Sequence, residues 1–141
     1  MHFLRFLLAL IFCGLAAMAP AQKDSTEKDP TGLVKWMSLA EAEAAVAKQA
    51  KPVIVDVYTD WCGWCKHMMR TTFSEPAIAN YINTNFYPVR LNAESKDTMV
   101  FLGEKYVNAS SGSRPPHELA IKLLQGKLSY PTLLFMSNNF Q

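Results

Sequence analysis

Charge is scarce in this chain. Of its 141 residues 18% are charged, and the formal net charge is +2. No Lys/Arg cluster appears along it, and no basic groove interleaved with stacking aromatics, so the electrostatic footprint of a nucleic-acid binder is excluded. Cysteine is scarcer still, at three residues. No internal repeat is evident. The N-terminal apolar run, Phe6 to Ala17, covers about a dozen residues, and a bilayer span needs roughly 20.

What is present is a globular composition, half of it hydrophobic, of a size suited to one domain. Residues 1–21 read as a secretory signal peptide: His2 and Arg5 start it, the apolar run follows, and Ala19-Pro20-Ala21 offers a small-x-small cleavage site before Gln22. An uncleaved anchor is the alternative. Lipid attachment at Cys13 fits less well, because bulky Phe12 precedes it. Cleavage would remove Arg5 and Cys13 and leave Cys62 and Cys65 as the mature cysteines. Two cysteines so close together are not a framework of long-range staples. In an oxidising compartment they meet thiol–disulfide partners.

Residues 22–32 read as a polar flexible leader and 33–141 as one domain. Ser38-Leu39-Ala40-Glu41 is a capping box opening a helix to about Ala50. Lys51-Pro52 stops it, and Val53 to Tyr58 follows as a buried strand whose single charge, Asp56, is unusual. A helix is expected from near Cys62 to Thr71, and another from Pro76 to about Asn83. Phe86 to Leu91 reads as a strand, Lys96 to Tyr106 as a helix, and Asn108 to Pro115 as a loop. Pro116 opens a further helix ended by Gly126; Tyr130 to Met136 reads as a strand, with a turn at Ser137-Asn138-Asn139. Strands alternating with helices imply an α/β fold, a central sheet flanked by helices. The chain ends two residues after that turn, which suggests a continuing hairpin and leaves the last strand with an open edge.

Trp61-Cys62-Gly63-Trp64-Cys65-Lys66 sits where a strand hands over to a helix. A cysteine there faces unpaired backbone N–H groups and the positive end of the helix dipole, both favouring thiolate. The second sulfur lies one turn on. Cys62 is then expected to be the exposed nucleophile and Cys65 the shielded thiol that resolves the mixed disulfide. Other readings stand beside this one. Half a zinc site is conceivable with His67 and His117, although such pairs usually sit on hairpin knuckles. Copper handling by Cys62, Cys65, His67, Met68 and Met69 suits soft-ligand preferences, but the two methionines are more simply core residues of a helix. An inert structural disulfide would gain little from so short a loop.

The stretch from Val55 to Lys66 resembles the active-site segment of the thioredoxin superfamily. Thr72-Phe73-Ser74-Glu75-Pro76 extends the similarity to the thioredoxin-like periplasmic domain of transmembrane thiol:disulfide interchange proteins and to related exported thioredoxins. The resemblance implies a thioredoxin-like fold with a mixed sheet over about residues 36 to 136. It makes Pro131 a cis-proline opposite the cysteines, with Tyr130 presenting its backbone to an extended substrate strand. It makes Asp56 the buried acid beneath Cys65, a candidate proton acceptor. Trp61, Gly63, Trp64, Tyr130 and Pro131 become the substrate-contacting surface, and Lys66 a local electrostatic bias or a solvated lysine.

The sequence departs from that pattern in three places. Trp64 replaces the proline common between the cysteines of thioredoxin itself. The stretch Lys96 to Lys127 is longer than one linking helix, with Asn108 to Ser113 as an insertion that could shape a substrate surface. The fold's last hairpin strand and terminal helix are missing. The implied function is an exported, periplasmic thiol–disulfide oxidoreductase, acting as reductant or relay rather than primary oxidant. It needs no metal and no cofactor beyond its own redox disulfide. Its implied partners are protein thiols and disulfides, with a membrane thiol-electron donor as a candidate electron source, and no stable membrane insertion follows signal cleavage. Copper delivery by the same pair is the alternative.

Overall fold

A computed structural model describes residues 33–109 and 111–141. The expected signal peptide (1–21) and leader (22–32) lie outside the described residues.

Strand β1 (Val53–Tyr58) is buried along its whole length, as its apolar run requires. It pairs in parallel with β2 (Tyr87–Asn92), Val53 opposite Tyr87, and antiparallel with β5 (Thr132–Met136), Val53 opposite Met136. The sheet is therefore mixed, in the order β2-β1-β5. Because strand side chains alternate, β1 serves two cores. Val53, Val55 and Val57 join Leu39, Leu91, Phe101 and Leu119 on one face. Ile54 joins Met69, Phe73 and Ile82 on the other. The first core draws on helix α1 (Leu39–Lys48) and helix α4 (Glu118–Leu123), the second on helices α2 (Gly63–Thr71) and α3 (Pro76–Asn85).

The local signals explain most of these elements. Ser38 and Glu41 form the reciprocal capping box: the Glu41 amide donates to Ser38 Oγ at 3.2 Å and the Ser38 amide to Glu41 Oε2 at 2.7 Å. Pro76 opens α3, where a missing N–H costs nothing. Helix α4 begins two residues after Pro116, capped by His117 Nδ1, which accepts from the Leu119 amide at 3.1 Å. Gly126 takes the positive φ of 77° expected at its C-terminal end.

One expectation fails. Lys96 to Tyr106 is not a helix but a two-stranded antiparallel hairpin, β3 (Met99–Phe101) and β4 (Glu104–Tyr106). Its two turn residues, Leu102 and Gly103, both have positive φ, 51° and 77°, as a primed hairpin turn demands. Leucine disfavours that conformation, but the Leu102 amide donates to the Glu43 carboxylate of α1 at 2.7 Å. A tertiary contact thus fixes a turn with no turn-forming dipeptide.

Strand β5 carries no partner on its outer edge among the described residues. Phe135 there stacks edge-on against Phe86 at 5.8 Å between ring centroids.

Candidate active site

The two cysteines sit at the carboxyl end of β1. The chain leaves the sheet at Tyr58, turns with the Cys62 amide donating to the Thr59 carbonyl at 3.1 Å, and enters α2. Cys62 is the N-cap residue of that helix, and its Sγ accepts the Cys65 backbone N–H at 3.0 Å. Cys62 and Cys65 are joined as a disulfide with Cα atoms 5.3 Å apart. The same N–H and the helix's other free amides would stabilise a Cys62 thiolate after reduction.

The expected contrast in exposure is small in this oxidised state. Cys62 is 4% exposed and Cys65 2%, because both pack with Tyr58 and are covered by Tyr130. In the disulfide Cys62 Sγ is an electrophile, and this packing limits approach to it.

Asp56 is fully buried and shares the β1 face with Ile54 and Tyr58, the face that α2 covers. Its register partner on β2 is Arg90, and the Arg90 Nε lies 3.4 Å from Asp56 Oδ2. Burial pushes the Asp56 carboxyl above its ordinary value of 3.8, and the charge and hydrogen bond of Arg90 oppose that rise without cancelling it. The second oxygen, Oδ1, has no hydrogen-bond partner, nor does buried Thr59 Oγ1. Arg90 also lies over the Tyr58 ring, 3.9 Å from its centroid. A cavity of about 570 Å³ lined by Thr59, Asp60, Cys65, Lys66, Arg70 and Arg90 reaches this region from solvent.

The outer side of the disulfide is aromatic. Trp61 packs edge-on against Tyr130 at 6.2 Å and donates its Nε1–H to Glu94 Oε1 at 2.8 Å. Burial, and then the Glu94 carboxylate, raise the Tyr130 phenol above its usual range. Trp64 is 74% exposed and meets the His67 ring edge-on at 5.6 Å. Gly63 is exposed at the start of α2, with open space where a Cβ would stand. The Tyr130–Pro131 peptide bond is cis. Lys66 is exposed one residue after Cys65.

The residues named for a metal do not converge. Met69 is buried in the core with Phe73, while His67 is exposed beside Trp64. His117 is buried at the N-terminus of α4, with Nδ1 on the Leu119 amide and Nε2 on the Asp97 carbonyl at 3.0 Å. Among the described residues no three His, Cys, Asp or Glu side chains group around a common point.

The sequence reading missed Arg90, Glu94 and Arg114. Arg90 had a visible signal, a lone charge in an apolar strand like Asp56 in its neighbour. Glu94 and Arg114 had none, since their meeting at Trp61 depends on how the loops fold back.

Residues 35–137 match the sequence profile of a family described as thioredoxin-like. The chain belongs to the thioredoxin-like family. Within it, a stretch of 46 residues is 41% identical to a thiol:disulfide interchange protein, DsbD, of Pectobacterium atrosepticum, covering 33% of this chain and 8% of the relative. The DsbD of Vibrio vulnificus is 40% identical over 62 residues, 40% of this chain and 10% of the relative. The matched stretch thus spans about a tenth of these curated relatives or less. Among solved structures, the DsbH oxidoreductase aligns with a TM-score of 0.51 at 17% identity, covering 77% of this chain and 68% of the other. A candidate disulphide-isomerase from Bacteroides thetaiotaomicron aligns with the same TM-score at 24% identity, covering 77% and 73%. Both support the mixed-sheet thioredoxin-like fold. No helix among the described residues is long and apolar enough to cross a membrane.

Proposed function

We propose that this thioredoxin-like chain is an exported, periplasmic thiol–disulfide oxidoreductase that reduces or relays electrons to protein disulfides through Cys62 and Cys65. The observation that carries this reading is the position of the pair: a disulfide at a helix N-terminus, with Cys62 Sγ on a backbone N–H. The interchange proteins similar in this stretch support exchange chemistry, the reducing direction follows from the resemblance drawn from the sequence, and the apolar run with its small-residue cleavage site favours export.

In the reduced protein the Cys62 thiolate attacks one sulfur of a substrate disulfide and expels the other as a thiolate. The Cys65 thiolate then attacks Cys62 Sγ, which breaks the mixed disulfide and releases the second substrate thiol. The substrate gains two electrons and two protons, and the protein is left with the Cys62–Cys65 disulfide. Cys65 must lose a proton for the second step. Asp56, on the α2 side of β1 with Oδ1 unpartnered, is the residue assigned to accept it; its partner Arg90 and Cys65 both line the adjoining cavity. A partner dithiol, with a membrane thiol-electron donor as the candidate, returns two electrons to restart the cycle.

The test is substrate trapping. Cys65→Ser protein should accumulate a mixed disulfide between Cys62 and a reducible protein such as insulin, resolved by non-reducing electrophoresis. Cys62→Ser should accumulate none and lose turnover. Absence of any adduct with Cys65→Ser, together with no insulin reduction by the wild type, would overturn the assignment.

A further inference from the structure

The insertion after β4 returns to the redox site. Asn108 closes it at the base, its Nδ2 donating to the Pro115 carbonyl at 2.8 Å and to the Ser95 carbonyl at 2.9 Å. The first bond ties the two ends of the loop together, and the second ties the loop to the turn that carries Glu94. Val107 and Glu118 fasten the same base: the Glu118 amide donates to the Val107 carbonyl at 3.2 Å and the Val107 amide to Glu118 Oε2 at 3.1 Å. Held there, exposed Arg114 lies over the Trp61 ring, 5.2 Å from its centroid. Trp61 in turn packs on Tyr130, and Tyr130 covers Cys62 and Cys65. Two aromatic side chains separate the guanidinium from the disulfide.

The lip presents one guanidinium among mixed charges. A guanidinium held over an indole by cation–π attraction keeps N–H donors that match a carboxylate. Arg114 forms no ion pair among the described residues. The carboxylates of this surface accept from neutral donors rather than from Arg114: Glu94 from Trp61, and Asp60 from Asn92 Nδ2 at 3.1 Å.

We propose that Arg114 is a specificity residue of the exchange reaction, favouring protein disulfides that carry an acidic side chain beside the reacting cysteine. Glu94 and Asn108 are its positioning residues, one fixing the indole it rests on and the other the loop that delivers it. The inference rests on the exchange activity proposed above.

The test uses peptide dimers joined by one intermolecular disulfide and differing only in the residue before cysteine: Glu, Gln or Lys. Pre-reduced protein supplies both electrons in a single turnover, and released peptide thiol is followed over a range of peptide concentration. At low peptide the wild type should reduce the Glu dimer about three to five times faster than the Gln dimer, the scale of an exposed charge pair. The difference should vanish at saturating peptide and shrink at high salt. Arg114→Gln should bring the Glu/Gln ratio to about one, and Arg114→Glu should reverse the order in favour of the Lys dimer. The Gln dimer serves as each variant's own reference rate. Asn108→Ala should lower the Glu preference part of the way. A Glu/Gln ratio near one in the wild type, or a preference that survives Arg114→Gln, overturns the specificity while leaving exchange intact. Failure to reduce any of the three dimers overturns both.

Discussion

The two sides of the disulfide are built by different means. On the sheet side, Asp56 and Arg90 occupy facing positions of β1 and β2, an ion pair with both side chains largely buried, on the β1 face whose Ile54 packs with Phe73 and Met69. On the outer side, Trp61 meets the Tyr130 ring edge-on, lies under Arg114 and donates to the Glu94 carboxylate, while Trp64 stands exposed. A buried charge pair holds one geometry at high desolvation cost, which suits a group that must accept a proton at a fixed place. Exposed aromatic and cationic contacts are individually weak, which suits a surface that must release its partner after exchange. Chemistry is assigned to the first side and recognition to the second.

The division can be broken from the inside first. Phe73 is 1% exposed and meets Trp36 edge-on at 4.9 Å, so Phe73→Ala should cost about 3–5 kcal/mol in urea unfolding. A loss under about 1 kcal/mol would mean that the core beneath α2 is not the support described.

Asp56→Asn should slow resolution of the mixed disulfide on the order of a hundredfold, with the first attack by Cys62 unchanged. Stopped-flow with the two steps separated reads this directly. The pH dependence has a definite sign. Burial holds the Asp56 carboxyl above its ordinary value of 3.8, so the wild-type resolving rate should rise with pH through that higher value, and the variant should lack the inflection. Folding is linked in the opposite sense. The neutral acid's advantage is fully present below about pH 3.8, the ordinary value, and is lost as pH rises through the folded value. Oxidised wild type should therefore lose stability relative to Asp56→Asn over that interval, since an unpaired Arg90 costs the variant the same at either end.

Smaller effects belong to the outer side. Glu94→Gln weakens a charge-assisted bond to Trp61, which should lower the low-concentration rate with acidic peptides by about threefold and shift unfolding by less than about 1 kcal/mol. Trp64→Ala, at a residue 74% exposed, should change stability by no more than about 0.5 kcal/mol. A larger loss from Trp64→Ala than from Phe73→Ala would invert the comparison.

How much of this was legible in the sequence follows from where each signal resides. The redox end was legible because its determinants are local: a capping box, an apolar run ended by a turn, two cysteines one helical turn apart. Asp56 stood out as one charge in a buried strand, and Arg90 could have been found by the same test. The segment from 96 to 106 misled because its turn, Leu102-Gly103, depends on Glu43 of α1, about sixty residues away in sequence. Its apolar residues Met99, Val100, Phe101 and Leu102 fit a buried helix as readily as a hairpin. The Arg114–Trp61–Glu94 cluster joins three separate loops, so no window of sequence contains it.

The central claim is that Cys62 and Cys65 cycle between dithiol and disulfide. Equilibrating the protein in glutathione and dithiothreitol redox buffers, with the oxidised fraction read by thiol alkylation, tests it most directly. A reversible two-electron transition near about −270 mV is predicted, the range of a reducing thioredoxin-like pair. A midpoint near about −120 mV would contradict the direction assigned, and a pair that stays oxidised below about −300 mV would make the disulfide structural and contradict the account itself.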